Sequence, residues 1–260
     1  MNIHPTAIVD ASAELGEDVE IGPFCTIGAK VCLHNSVRLI SHVVIEGDTQ
    51  VGAGTLIYPF AVLGAPPQHL GCSGDGTKLV VGENAIIREH VTMNRGTVAG
   101  GGVTRIGHRG FFMIGSHVAH DCQVGDDVIF ANNATLGGHV RVGERAFLGG
   151  LCAVHQQCRI GAFSFIGGGA TVVNDIIPYA SAFGNHARLV GLNVIGMKRR
   201  GVARDVIHDL RAAYRMLFSG ASVFQERIEL VRERYGAREE VARILEFLEE
   251  DATRPLMPAR

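Results

Sequence analysis

The sequence contains no tryptophan, and aromatic residues make up only 6% of its 260 residues. Its six cysteines form no CxxC pair, and we interpret Cys122, Cys152 and Cys158 as core residues rather than a metal or disulfide set. The formal net charge of −2 argues against a general nucleic-acid-binding protein. The sequence also lacks a basic-plus-apolar leader and a long apolar run, so we expect a cytoplasmic protein with no stable membrane insertion.

What the sequence does contain is a repeat. An apolar residue recurs every six positions over 3–63 and 81–93 and, in a new frame, over 106–172. A six-residue period fits neither a helix nor an alternating strand, but it is typical of a hexapeptide β-helix, in which short parallel strands wind into a prism. Such a narrow prism has no room for tryptophan. Glycine often follows the periodic residue, and we expect it to supply the unusual backbone angles of the corners.

The repeat also predicts the domain organisation. Its frame breaks at about 64–80 and 98–105, which indicates two loops leaving the prism, and binding residues concentrate on such loops. After Val172 the frame fades, and from about Val202 the apolar spacing becomes helical. We therefore predict an all-β prism over 1–187 and a small α-helical domain over 188–260, with a loose tail around Pro255 and Pro258.

Histidines dominate the candidate functional residues. If three hexapeptides make one coil, residues eighteen apart stack, and Gly138 lies above His120. A group of residues should then share one edge of the prism within roughly 10 Å of axial rise. The group comprises His120, His139, His155 and Gln156, and His117 lies in the same run of repeats.

Different chemistries can use such a cluster. A neutral His120 can act as general base on a sugar hydroxyl, with Asp121 orienting the ring and the Gly138 N–H facing an oxyanion. The histidines can instead hold zinc, as in the carbonic anhydrases built on the same prism. A third interpretation is a scaffold for protein contacts, with no catalysis at all.

Several segments carry a more specific signal, namely Arg95–Val98, Ile114–Cys122, Phe130–His139, Ala153–Gln156, Gly184–His186, Gly191–Asn193 and Lys198–Gly201. Together they resemble the UDP-N-acetylglucosamine acyltransferase family of lipid A biosynthesis, and the resemblance covers essentially the whole chain. It implies a homotrimer of left-handed parallel β-helices with active sites between subunits. It also implies transfer of an (R)-3-hydroxyacyl chain from acyl carrier protein to the 3-hydroxyl of UDP-N-acetylglucosamine, without a metal or other cofactor.

The resemblance assigns roles to individual residues. His120 matches the catalytic base, Asp121 lies beside it, and the backbone of Gly138 matches the oxyanion donor. Gly168 matches the floor of the acyl groove, where a glycine predicts a longer hydroxyacyl chain. The positions that match substrate contacts are Gln68, His69, His117, His139, His155, Gln156, Asn193, Arg199 and Arg200.

The chain departs from the family pattern at three positions near the sugar end of the site. His69 stands where the family often has Asp, Gly71 where it often has Lys, and Ile195 where it often has Glu. Because some relatives acylate a 3-amino sugar, these departures leave open whether the acceptor atom is oxygen or nitrogen.

Other interpretations and one partner surface also follow from the sequence. The N-acylating paralogue of the same pathway is disfavoured, because it would be expected to carry an extra N-terminal domain, whereas the repeat begins at Ile3.

Arg204, Arg211 and Arg215 fall near one side of the first predicted long helix, where they can meet the acidic acyl carrier protein.

Overall fold

The computed structural model describes residues 1–72, 74–220, 222–250 and 252–259. Within these ranges, three β-sheets form the faces of a triangular prism, and each coil of the chain adds one short strand to each face. The strands of face 1 are Asn2–Ile3, Glu20–Ile21, Arg38–Leu39, Leu56–Ile57, Ile86–Ile87, Phe111–Phe112, Ile129–Phe130, Phe147–Leu148, Phe165–Ile166, Ala180–Phe183 and Arg188–Leu192. Those of face 2 are Ile8–Val9, Thr26–Ile27, Val44–Ile45, Val62–Ala65, Thr92–Asn94, His117–Val118, Thr135–Leu136, Ala153–Val154 and Thr171–Val172. Those of face 3 are Glu14–Leu15, Val31–Leu33, Asp48–Val51, Lys78–Val81, Val103–Ile106, Gln123–Val124, Arg141–Val142 and Arg159–Ile160.

The strand register confirms the spacing on which the sequence argument depends. His117 pairs with Thr135, and Thr135 pairs with Ala153, so residues eighteen apart lie directly above one another. The two breaks in the repeat are loops. The described residues of the first are 66–72 and 74–77, and the second occupies 95–102 and contains a short 3₁₀ helix over Val98–Gly100. The strands before and after each loop still pair with one another on the faces of the prism.

From Ile21 onward, the periodic apolar residues fill the centre of the prism, together with the small residue four positions after each. Phe112 and Phe130 are fully buried, with ring centroids 4.9 Å apart. Cys122, Cys152 and Cys158 are buried as well, and burial raises the pKa of each thiol to about 12. Because a protonated thiol is a poor metal ligand, the interpretation of these cysteines as core residues holds.

The glycines that follow the periodic residues mostly do not supply the unusual backbone angles of the corners, so that prediction is wrong. The left-handed backbone falls two residues later than the glycine, often on a residue with a side chain, such as His139 at φ 60°, which follows Gly137, and Arg145 at φ 57°, which follows Gly143. Most of these glycines are required because the next coil lies too close. A Cβ on Gly22 would lie 1.8 Å from the Ile40 carbonyl oxygen, and one on Gly143 would lie 2.4 Å from the backbone nitrogen of Ala162.

The top of the prism turns back on itself before the helices begin. Strand Arg188–Leu192 pairs antiparallel with Ala180–Phe183 on face 1, so the predicted boundary at residue 188 falls inside the prism's final hairpin. The helices are α1 (Val194–Arg199), α2 (Arg204–Leu217), α3 (Phe224–Tyr235) and α4 (Glu239–Glu249).

The helical domain packs through apolar stripes. Helix α2 buries Ile207, Leu210, Ala213 and Leu217, which recur every three or four residues and therefore share one side of the helix. None of the helices in the described part of the chain is long and apolar enough to cross a bilayer.

The C-terminal tail is docked on the prism, so its interpretation as a loose segment is wrong. The Asp175 N–H donates to the Pro255 carbonyl at 2.9 Å, and the Met257 N–H donates to the Asp175 carbonyl at 2.8 Å. Met257 is 1% exposed, which shows that the tail buries an apolar side chain in addition to pairing its backbone.

Candidate active site

The edge between faces 2 and 3 collects the histidines that the repeat brings into register. His120 and Asp121 turn this corner on one coil, and Gly138 and His139 turn it on the next. The His139 N–H donates to the His120 carbonyl at 2.9 Å, and the two imidazole centroids are 5.1 Å apart. The eighteen-residue spacing predicts this stacking, and we call this edge the histidine edge.

Asp121 orients the imidazole of His120. The Nδ1 atom of His120 lies 2.9 Å from Oδ2 of Asp121, and both residues are buried. Burial alone would raise the pKa of Asp121, but hydrogen bonds from Thr97 and His120 outweigh it, so the pKa lies below the ordinary value. An ionised carboxylate only accepts hydrogen bonds, so Nδ1 of His120 carries a proton, and in the neutral imidazole the lone pair is therefore on Nε2.

The second loop encloses the Asp121 carboxylate. Thr97 donates its N–H to Oδ1 at 2.8 Å and its hydroxyl to Oδ2 at 2.7 Å. A Cβ on Gly100 would lie 2.3 Å from Cγ of Asp121, so only glycine lets this loop approach so closely. From the other side, Thr104 accepts the Asp121 N–H at 2.8 Å, and the carboxylate is thereby held in one orientation.

Gly138 lies directly against the ring of His120. A Cβ at this position would lie 2.4 Å from Cε1 and 2.7 Å from Nε2 of the imidazole. Within the described ranges, the Gly138 N–H has no hydrogen-bond acceptor, although its carbonyl accepts the Gln157 N–H at 2.9 Å. A free backbone donor beside a ring nitrogen with a lone pair is the arrangement that an acyl-transfer site requires.

A cavity of about 460 Å³ opens beside these groups, lined by His69, Gly71, Cys72, Thr97, Val98, Ala99, His120 and His139. The ring of His69 meets that of His120 edge to face, with centroids 5.9 Å apart. Its Nδ1 accepts the Gly71 N–H at 3.2 Å, while Gln68 is exposed in the same loop. The cavity is therefore bounded by both loops and by the histidine edge.

His117 and His155 flank the central pair. Nδ1 of His117 lies 2.7 Å from the hydroxyl of Thr92. Burial lowers the pKa of His117, and the nearby His120 lowers it further. His155 and Gln156 are exposed on the next coil, where both contact Arg254 of the C-terminal tail.

The remaining predicted site residues lie on other edges of the prism. Gly168 is exposed between faces 1 and 2. Asn193 caps α1 by accepting the Gly196 N–H at 3.0 Å, and it donates to the carbonyl of Phe163 between faces 3 and 1. The guanidinium of Arg200 lies over the ring of Phe163 at 5.1 Å, and Arg199 is exposed on α1. One chain therefore does not bring these residues to the histidine edge.

Comparison with known proteins decides the family. The chain is 55% identical to the acyl-(acyl-carrier-protein)–UDP-N-acetylglucosamine O-acyltransferase of Caulobacter vibrioides, over 100% of this chain and 99% of that protein. It is 48% identical to the protein of the same name from Rhizobium johnstonii, over 98% and 93% of the two chains. The chain belongs to the acyl-(acyl-carrier-protein)–UDP-N-acetylglucosamine O-acyltransferase family.

Solved structures of this family support the assignment. The crystal structure of the UDP-N-acetylglucosamine O-acyltransferase from Moraxella catarrhalis matches with a TM-score of 0.96 at 38% identity, covering 99% of this chain and 100% of that chain. The Acinetobacter baumannii structure gives 0.92 at 37% identity, with the same coverage. A family model described as UDP N-acetylglucosamine O-acyltransferase, domain 2, matches residues 175–257. These matches confirm the left-handed β-helix followed by a helical domain.

The carbonic anhydrase alternative receives no support from these acyltransferase relatives. Ligand atoms of His120, Asp121 and His139 do lie within 4.8 Å of one another, which is close enough to surround a metal ion. However, Thr97 and His120 already occupy the carboxylate of Asp121, so a metal would have to displace these hydrogen bonds.

The structure adds residues to the site that the sequence interpretation did not assign. Thr97 lies in one of the family-like segments, but nothing in the sequence shows that its hydroxyl reaches Asp121 across 24 positions. Thr104 lies at the edge of the same loop. Arg254 precedes Pro255 in the tail, and only the docking of the tail brings it to the histidine edge.

Proposed function

We propose that this chain transfers an (R)-3-hydroxyacyl group from acyl carrier protein to the 3-hydroxyl of UDP-N-acetylglucosamine, the first step of lipid A biosynthesis, with His120 as general base. The observation that supports this most strongly is the 2.9 Å contact between Nδ1 of His120 and Oδ2 of Asp121. The carboxylate accepts the Nδ1–H hydrogen bond, so the lone pair of the neutral imidazole is on Nε2, beside Gly138, whose N–H has no acceptor among the described residues.

The reaction follows from this arrangement. As the sugar oxygen attacks the thioester carbonyl, Nε2 of His120 takes the hydroxyl proton. The carbonyl oxygen becomes an oxyanion and accepts the N–H of Gly138. When the carbon–sulfur bond breaks, the imidazolium returns its proton to the departing thiolate of the carrier protein. A positioned base of this kind contributes about 10²- to 10⁴-fold to the rate.

The distribution of the other predicted binding residues supports a homotrimer with active sites between subunits. His117, His139, His155 and Gln156 belong to the histidine edge, while Asn193, Arg199 and Arg200 lie near the edge between faces 3 and 1. Gly168, the proposed floor of the acyl groove, lies on the third edge. Because a triangular prism cannot fold its edges together, a complete site needs residues from neighbouring copies.

The helical domain supplies a surface for the donor. Arg204, Arg211 and Arg215 are exposed on α2 at spacings of seven and four residues, so they lie on one side of the helix. Such a row of cations suits the acidic acyl carrier protein, in which case the reaction takes place in the cytoplasm.

The unusual first loop bears on the acceptor. His69 lines the reaction cavity, and Gly71 beside it offers no side chain. A hydroxyl acceptor is what the relatives' name specifies. We therefore propose an oxygen acceptor, with Gln68 and His69 at the sugar end of the site.

The test is an acyl-transfer assay that pairs a panel of (R)-3-hydroxyacyl carrier proteins with UDP-N-acetylglucosamine or its 3-amino analogue. We expect the wild type to acylate the hydroxyl substrate and His120→Ala to lose about 10²- to 10⁴-fold in kcat. His34→Ala is the matched control, because His34 is exposed on an early coil. A folded wild-type protein that transfers no acyl group in any pair would refute the proposal, and a preference for the amino analogue would refute the oxygen acceptor.

A further inference from the structure

The docked tail brings a cation to the histidine edge. Nη2 of Arg254 lies 2.7 Å from Nδ1 of His155, and its Nε donates to the carbonyl of Gln156 at 3.1 Å. The next residue, Pro255, accepts the backbone N–H of Asp175, so the position of Arg254 is fixed by the docking of the tail.

Two groups compete for Nδ1 of His155. The carbonyl oxygen of Gln156 lies 3.2 Å away and requires a proton on Nδ1, whereas the guanidinium requires a lone pair there. Arginine has five N–H donors and no acceptor, so its 2.7 Å contact is a hydrogen bond only if Nδ1 is unprotonated. The Gln156 carbonyl still accepts a hydrogen bond in this arrangement, because Nε of Arg254 donates to it.

From this we infer that Arg254 is a positioning residue that holds His155 in the tautomer with its proton on Nε2. The exposed side of the His155 ring then presents a hydrogen-bond donor to the acceptor-only oxygens of a nucleoside diphosphate. This inference rests on the proposed function, which makes His155 a contact of the nucleotide sugar.

On this edge His120 and His155 are consequently set to opposite tautomers. A carboxylate holds the proton of His120 on Nδ1 and leaves a lone pair for catalysis, whereas a guanidinium holds the proton of His155 on Nε2 for binding. Without Arg254, the proton of His155 would lie on Nδ1 and be donated in a hydrogen bond to the Gln156 carbonyl, and Nε2 would turn a lone pair toward the phosphate oxygens.

The first part of the test is spectroscopic. Selective ¹⁵N-histidine labelling reports the tautomer of His155 in the full-length protein without substrate, with His155→Gln identifying the resonance. We expect the Nε2–H form in the wild type and the Nδ1–H form in Arg254→Met. Arg254→Lys should retain the Nε2–H form because an ammonium group also only donates, and Arg234→Met is the control for loss of an exposed arginine.

The second part is kinetic. For Arg254→Met we expect KM for the nucleotide sugar to rise by about ten- to a hundredfold, the effect of losing a hydrogen bond to a charged group, with a smaller change in kcat and partial recovery in Arg254→Lys. An unchanged tautomer or an unchanged KM in Arg254→Met would overturn the inference. If the wild type transfers no acyl group, the proposed function fails, while the ¹⁵N spectra still decide whether Arg254 sets the tautomer.

Discussion

Replacing Asp121 with asparagine tests the proposed base most directly, because the amide keeps the shape of the carboxylate and changes only its hydrogen bonding. Oδ1 accepts the Thr97 N–H, and Oδ2 accepts both the Thr97 hydroxyl and Nδ1 of His120. An amide nitrogen in the first position would face the backbone N–H of Thr97, which is a buried clash of two donors. At the position of Oδ2, the amide nitrogen would face His120. It donates hydrogen bonds, so Nδ1 of His120 could accept one only if Nδ1 were unprotonated.

The second orientation is the favourable one, and it places the proton of His120 on Nε2, where the base must have a lone pair. A buried unsatisfied donor costs about 1–3 kcal/mol, so the wrong tautomer is favoured by about five- to a hundredfold. The imidazolium also loses the carboxylate that stabilises it during the reaction. We therefore expect kcat for acyl transfer to fall by about 10²- to 10⁴-fold, the full contribution of a general base.

The assay compares kcat for the wild type, Asp121→Asn and His120→Ala at saturating substrate. Asp127→Asn is the matched control, because Asp127 also has a left-handed backbone at a corner of the prism but pairs with the half-exposed Arg109. It should keep its activity, since exposed ion pairs contribute at most about 1 kcal/mol to stability. A folded Asp121→Asn variant with kcat within about threefold of the wild type would refute the assignment of His120 as base.

Other expectations follow from the same geometry. Gly138→Ala should reduce kcat by at least about a hundredfold, because its Cβ would displace the catalytic imidazole; Gly150→Ala, whose Cβ would meet only one atom at 3.3 Å, is the control, and equal activity of the two variants would contradict the argument. Gly168→Met should shift selectivity in the donor panel toward shorter hydroxyacyl chains, and an unchanged preference would show that Gly168 is not the floor of the groove. Thr97→Val should weaken the pH dependence of stability. The lowered pKa of Asp121 adds stability that is present above its unfolded-state pKa and lost as pH falls through the folded value, so losing the hydroxyl should lower the urea midpoint at pH 7 more than at pH 3. Equal shifts at both pH values would count against that hydrogen bond.

The sequence was sufficient to predict the histidine edge, because stacking follows from a period that can be counted. Gly138 lies against His120 as the eighteen-residue spacing requires. The glycines were recognised for the wrong reason, because the approach of the next coil depends on three-dimensional packing that no local pattern reveals. The roles of Thr97 and Arg254 were out of reach for the same reason, since each contact depends on how a loop or tail folds back onto the prism.

In this prism, the number of residues in a coil determines which face each following residue lies on. Each hexapeptide advances the chain by one face, so inserting six residues between the second loop and His117 would turn everything above by a third of a revolution and carry His120 away from the loop that holds Asp121. An insertion of eighteen residues would restore the angle and lift the upper coils by about 4.8 Å. The same coil inserted before residue 60 would leave every contact of the site unchanged. The lower coils can therefore vary in length by whole turns, while the coils that carry the histidines can vary by none.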